Sequence, residues 1–362
     1  MNRGILYALL AAATFGASTP FAKLLVGSVA PLALAALLYL GSGLGLLALT
    51  LLRRMLGRLP GRPLQRAPAT AVHLRPADLP WLAAAIAFGG VAGPVLLMVG
   101  LRSLSGATAS LLLNMEGVLT SLLAWCVFKE NFDRRILLGM LLIVAGGAVL
   151  AWQPAAAGTL LTLATPGWGA LAVLGACLCW AIDNNLTRKV ADSDAVQIAC
   201  IKGLAAGAVN LAIALTLHTP MPPLPTIAAI GVVGFCGYGL SLVLFVLALR
   251  TLGSARSGAY FSAAPFVGVT VALLLGESPA AGFWLGGALM AAGIALHLTE
   301  RHAHPHTHLP QTHAHSHRHD AHHQHQHGFD WDGVEPHAHA HAHEELQHTH
   351  AHFPDTHHRH TH

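Results

Sequence analysis

Charge is scarce in this chain. Asp, Glu, Lys and Arg make up 10% of its 362 residues, and 54% are hydrophobic. A soluble globular protein carries about 25% charged residues. A chain this apolar cannot cover itself with a water-facing surface, so the lipid bilayer is its solvent. Aromatics amount to 6%, and the basic residues do not form a stripe between them, which excludes a nucleic-acid partner despite the net charge of +4. The five cysteines (Cys126, Cys177, Cys179, Cys200, Cys236) lie in apolar runs without a C-x-x-C pair and read as small core residues. No P-loop is present, so ATP does not drive the protein. Nothing in the chain reads as an enzyme.

Long apolar runs are plentiful. Ten candidate spans fall at about 4–26, 29–52, 80–101, 106–128, 135–152, 167–187, 195–217, 226–249, 257–276 and 280–298. Each is long enough to cross a hydrocarbon core of about 30 Å at about 1.5 Å per residue. The first run follows Arg3 like a signal peptide, but it is long for one and its pattern returns mid-chain, so it reads as a retained helix.

Basic residues test the count. With the N-terminus inside, Arg3, the loop 53–75, Lys129, Arg134, Arg135, Arg188, Lys189, Arg250, Arg256 and Arg301 all fall on the cytoplasmic side. Only Arg102 is a clear exception outside. This bias predicts a multi-pass protein of a bacterial inner (plasma) membrane with both termini cytoplasmic.

The halves repeat. Phe15-Gly16 precedes Lys23 at the spacing with which Trp180-Ala181 precedes Arg188. "GLRSLSGA" (100–107) matches "ALRTLGSA" (248–255), and Glu130 and Gly146 fall over Glu277 and Gly293. Each half holds five spans, an odd number, so the copies enter the bilayer in opposite senses. Such inverted repeats are common among secondary transporters. The expected fold is all-α and membrane-integral, with a first repeat at 1–152, a second at 153–298 and a tail at 299–362.

On these motifs residues 1–298 resemble the drug/metabolite transporter superfamily, in its EamA-type ten-helix branch. The resemblance implies a permease for small molecules with a cavity between the repeats, in a group where many members export metabolites. The tail lies outside the family pattern.

A charge at the bilayer centre costs about 2.5–3.5 kcal/mol on insertion scales. Glu116 is near the middle of the fourth span, with Asn114 half a turn before it. Asp183, followed by Asn184 and Asn185, is in the sixth, and Lys202 is in the seventh. These residues read either as the lining of a substrate cavity or as an internal ion pair, Lys202 with Asp183 or with Glu116, that only locks helices. Lys202 is also shallow enough to snorkel. An intramembrane carboxylate can bind a cationic group or carry a proton. Pro94 and Pro265 lie inside spans and read as hinges or as fixed kinks. Tyr238 and Tyr260 stand where they would reach a substrate, or pack.

Twenty-three of the 26 histidines lie between His302 and His362, mostly as His-x-His. The clearest runs are His302, His304, His306, His308; His313, His315, His317, His319; and His337, His339, His341, His343. No apolar periodicity is present to build a core, so the tail is expected to be disordered without ligand. In extended chain, positions i and i+2 share a side, and paired imidazoles suit divalent Zn, Ni, Co or Cu ions. Binding should weaken below a pH of about 6.5 as imidazole protonates. The plain alternative is a soluble tail without a metal role. No cofactor is required.

Three functions remain open: metabolite efflux with a metal-responsive or bystander tail, a divalent transition-metal exporter fed by the tail, and a membrane metal sensor that transports nothing. Dimerisation is compatible with the sequence and not demanded by it.

Overall fold

The computed structural model describes residues 3–56, 76–128, 134–151, 167–187, 194–252, 254–298, 303–308, 311–317, 337–343 and 346–351. The first two spans are continuous helices, α1 (Arg3–Val26) and α2 (Pro31–Leu56). The third joins α3 (Leu79–Ala85), a π-helical stretch at Ile86–Ala92, and α4 (Gly93–Leu101). The fourth is α5 (Gly106–Leu112) and α6 (Met115–Phe128), and the fifth is α7 (Arg134–Ala151). The second half repeats this order. Its continuous helices α8 (Trp168–Thr187) and α9 (Ala195–Thr216) lead to α10 (Leu224–Gly234), a π-helical stretch at Phe235–Leu240, and α11 (Ser241–Leu252). Then come the broken pair α12 (Ser254–Phe261) and α13 (Ala264–Leu274), and finally α14 (Ala281–Leu298). Among the described residues seven stretches are long and apolar enough to cross a membrane, and three shorter apolar helices, Leu137–Ala151, Ala264–Leu274 and Ala281–Leu296, stand where the other three spans are expected.

Both irregularities recur at matching places. With 100–107 laid over 248–255, the π stretch at 86–92 falls on 234–240, within a residue of the one observed. The break in the fourth span likewise falls on that in the ninth. At the first break, Asn114 N–H reaches Leu111 O at 3.0 Å and Glu116 N–H reaches Leu113 O at 3.1 Å. These are three-residue steps, tighter than an α-helix. The Asn114 side chain also donates to Leu111 O, at 3.0 Å, and so competes with the helix ladder. At the second break Pro265, which has no N–H, opens α13.

Lipid is as apolar as leucine, so these helices are not pressed together by the hydrophobic effect; small residues let them approach. An added Cβ at Gly203 would stand 2.7 Å from the Gly43 nitrogen, on the seam between α9 and α2. Between α7 and α14 the contact is reciprocal. Gly146 lies against Gly286 and Met290, while Gly293 lies against Gly139 and Ile143. Leu24, Leu44, Val232 and Trp284 are exposed on the outside of the bundle, as lipid-facing residues must be.

One carboxylate ties the halves together at a helix end. The α13 helix ends in a turn where Glu277 N–H reaches back to Ala272 O at 3.1 Å. Gly276 takes the left-handed conformation there, with φ of 91°, which a side chain would strain. The turn presents the Glu277 carboxylate to the start of α5, where it accepts from Gly106 N–H at 2.7 Å and Ala107 N–H at 2.8 Å. A carboxylate at a helix N-terminus satisfies orphan donors and meets the positive end of the dipole. Glu277→Ala is expected to cost about 1–2 kcal/mol, read as a lower unfolding midpoint in detergent, with Glu277→Gln between the two. An unchanged midpoint in Glu277→Ala would show that the cap carries no stability.

In the tail, four segments are strands: β1 (Ala303–His308), β2 (Gln311–His317), β3 (His337–His343) and β4 (Leu346–Ala351). β1 pairs antiparallel with β4, and β2 with β3. The register sets His304 opposite His350 and His306 opposite His348. In the other ladder it sets His313, His315 and His317 opposite His341, His339 and His337. The His-x-His alternation has the two-residue period of a strand. Two-stranded ladders are marginal in water on their own, so this pairing modifies the expectation of a wholly unstructured tail without giving it a core. His302 and His319 lie outside the described residues.

Candidate functional site

The site grows from the third span. A π-helical stretch loosens the backbone ladder and leaves carbonyls that need donors. Three side chains from three other spans supply them. Tyr39 Oη of α2 donates to Gly89 O at 2.8 Å, and Trp180 Nε1 of α8 donates to the same oxygen at 2.9 Å. Asn210 Nδ2 of α9 donates to Gly90 O at 3.1 Å. Gly89 must be glycine, because a Cβ there would overlap the Asp183 carboxylate. The second half mirrors this contact. Gly237 is the counterpart of Gly89, and its missing Cβ leaves room for Ser18, the counterpart of Asp183.

Of the two partners that the sequence offers Lys202, the structure gives it Asp183. Lys202 Nζ lies 2.6 Å from Asp183 Oδ1 and 2.7 Å from Oδ2, and Thr187 Oγ1 accepts a third bond at 3.2 Å. Thr187, one helical turn beyond Asp183, donates its own hydroxyl to Oδ1 at 2.8 Å. The two charged side chains are only 11% and 10% exposed. Lys202 therefore does not snorkel.

Glu116 is the second residue of α6, just after the break. Its Oε1 accepts from Asn184 Nδ2 at 2.8 Å, and it is half-buried while Asn184 is exposed. Glu116 and Asp183 are near enough for their charges to interact. Among the described residues no lysine or arginine pairs with Glu116. Asn114 turns away from this group: its amide is buried and also donates to the Met290 sulfur at 3.7 Å. Tyr260 is half-buried near the end of α12. Pro94 is the second residue of α4, just after the first π stretch, and Pro265 the second residue of α13, just after the second break.

Four aromatic side chains close into a loop drawn from both halves. Phe15 packs edge-on against Trp180, with centroids 6.4 Å apart, and against Tyr238 at 6.1 Å. Tyr238 meets Tyr39 at 5.4 Å, and Tyr39 returns to Trp180 through their shared hydrogen bond to Gly89 O. Tyr39 is within electrostatic reach of Asp183 and Glu116. Phe15, Tyr39 and Tyr238 keep part of their surface uncovered, whereas Trp180 is 7% exposed. In the sequence Phe15 and Trp180 are legible only as a repeat marker, and no motif points to Tyr39, Thr187 or Gly89. A lone tyrosine amid the leucines and alanines of α2 was the available signal.

A separate groove of about 470 Å³ runs between α1 and the second π stretch, lined by Thr14, Ser18, Phe21, Val232 and Cys236 among others. Its hydroxyls are turned to their own helix, with Thr14 bonded to Leu10 O and Ser18 to Phe15 O. What remains is apolar and suits lipid.

The comparisons with known proteins agree with this architecture. A solved crystal structure superposes with a TM-score of 0.57 at 18% identity, over 81% of this chain and 94% of its own. An uncharacterized transporter of Methanothermobacter thermautotrophicus is 26% identical over 281 residues, 76% of this chain and 80% of the relative. The uncharacterized transporter YyaM of Bacillus subtilis is 24% identical over 187 residues, half of this chain and 60% of the relative. The model of the EamA-like transporter family matches residues 2–152 and again residues 167–299, which together take in nearly all of the helical part of the chain. With ten apolar helical stretches, two matching halves and a polar cluster between them already in view, the chain belongs to the EamA-like transporter family.

Proposed function

We propose that the protein is a secondary transporter of the bacterial inner membrane, with both termini in the cytoplasm, which moves a small organic solute outward without ATP. The observation that carries this reading is Glu116, which has the Asn184 amide as its hydrogen-bond partner among the described residues, beside the closed Asp183–Lys202 pair and a loop of aromatic rings contributed by both halves. A polar site near the midplane at a repeat interface, flanked by discontinuous helices, is where secondary transporters hold substrate. Among the described residues no group of three or more His, Cys, Asp or Glu stands together to hold a metal. The test compares the medium of cells that express the protein, a Glu116→Gln variant, or nothing. One or more organic solutes should accumulate outside only with the parent protein. Identical media in all three would end the efflux reading.

The tail is assigned a role of its own, as a cytoplasmic ligand for Zn, Ni, Co or Cu ions. The register that sets histidine opposite histidine in both ladders supports this, since paired imidazoles are good ligands for these ions. Titrating Zn²⁺ or Ni²⁺ into the full-length protein and into residues 1–301 should show several ions bound by the former only, with binding lost below a pH of about 6. Equal binding by both forms would remove the assignment. Metal tolerance unchanged by the truncation would separate the tail from transport.

A further inference from the structure

We infer that divalent transition-metal ions zip the two arms of the tail, 303–317 and 337–351, into one antiparallel ribbon, held across the strands by histidines that the register sets face to face. The inference rests on the metal role proposed for the tail above and names what the ion does there. His304 stands opposite His350 and His306 opposite His348 in one ladder. In the other, His313, His315 and His317 stand opposite His341, His339 and His337. Alternation along a strand puts every histidine of the described strands on one face of its ladder, and the other face holds only Ala, Thr, Ser, Gln and Pro. Opposite positions are about 5 Å apart and successive ones on a strand face about 7 Å. Two neighbouring facing pairs therefore make a quartet, the number of ligands that a closed Zn²⁺ site takes.

Nothing else in the tail selects this register. A tight turn would, but residues 318–336 separate β2 from β3, far more than the two to five or so that fix a hairpin. A buried face would, but neither face has the apolar residues to build a core. A slip of one residue would set the β1 and β2 members of these pairs opposite Ala, Thr, Gln or Pro. The ladders also keep step with each other. Two residues separate them on each arm, Leu309 and Pro310 on one, Glu344 and Glu345 on the other, so a single zipping of the arms sets both histidine sets. Among the described residues no three ligands stand gathered; the register aligns their positions and the ion draws them in. Two-stranded ladders are marginal alone, and the free energy of binding the ion is what holds these closed.

The test is a distance between the arms in the full-length protein in detergent. Nitroxides go on Ala314→Cys and Ala340→Cys, which face each other on the side without histidine, with the five native cysteines replaced by alanine. Electron double resonance should show a broad distribution without metal and a single short separation with Zn²⁺, reversed by chelation. Mg²⁺ should leave it broad. Replacing His337, His339 and His341 together by alanine should abolish the collapse, although His313, His315 and His317 are untouched. The same replacement at His322, His323 and His325, which lie outside the described strands, should preserve it. A collapse that survives the first triple variant, or is lost in the second, overturns the ribbon, because the ions then answer to histidine number and not to register. Calorimetric titration of Zn²⁺ into the protein with its cysteines intact separates the two readings. Zn²⁺ bound without collapse sinks the ribbon and leaves the metal role standing, whereas no Zn²⁺ bound sinks both.

Discussion

Replacing Lys202 with methionine alone is expected to cost the folded protein about 3–5 kcal/mol, and adding Asp183→Asn to the same chain should return most of that loss. The single variant leaves a carboxylate that is 10% exposed facing no cation. Thr187 remains as a donor to Oδ1, but one hydroxyl does not balance a buried charge. Asp183→Asn alone strands an ammonium and should cost a similar amount. In the double variant no net charge is buried, and the pair's own desolvation penalty disappears with it. The measurement is a double-mutant cycle on thermal unfolding in a single detergent. Additive losses would show that the two residues act separately and that the pair is not the lock described here. Because Gly89 packs on Asp183, the double variant is also expected to keep the first π stretch in place.

Gly43→Val should cost at least about 1–3 kcal/mol, and more if the seam cannot open. A Cβ at Gly43 would lie 2.5 Å from the Leu204 backbone nitrogen, and one at Gly203 would lie 2.8 Å from the Gly43 Cα. Neither neighbour is a flexible side chain that can swing aside, so α2 and α9 would have to separate along the seam that joins the two halves. The control is Gly117→Ala. Nothing lies within 4 Å of a Cβ there, and the change should be neutral or gain up to about 1 kcal/mol from helix propensity. Yield of monodisperse protein and the unfolding midpoint report both. A Gly43→Val protein as stable as Gly117→Ala would mean that the seam is looser than its geometry.

Much of this fold was legible because membrane constraints act on sequence directly. Span length, basic flanks and an odd number of spans per half each leave a mark that needs no tertiary information. The site was legible in part for the same reason: Glu116, Asp183 and Lys202 stand out because charge is expensive where they are. What stayed hidden depends on contacts between distant spans. Nothing in Ile86–Ala92 announces a π stretch, so the Gly89 carbonyl and its two donors, Tyr39 and Trp180, could not be inferred. The choice of Asp183 over Glu116 as partner for Lys202 depends on how α8 and α9 face each other, which no local pattern encodes. Glu277 was read as a repeat marker, and its bond to the start of α5 spans 171 residues of sequence. Asn114 stands half a turn from Glu116 in the sequence, which suggests a shared cavity, yet its amide serves the break in its own helix and the Met290 sulfur.

The matching π stretches date part of this molecule's history. A helix that gains one residue rotates everything beyond it by about 100°, so such a gain inside a packed span survives only when the far end re-docks. Two unrelated accidents at the same place in two halves would each have had to pass that hurdle. The simpler account is one insertion in a single ancestral five-helix unit, before it was duplicated. On that account the π stretch of the third span is older than the ten-helix protein, and the two halves inherited it. They have since diverged in what they put beside it: an aspartate at 183 on one side, a serine at 18 on the other.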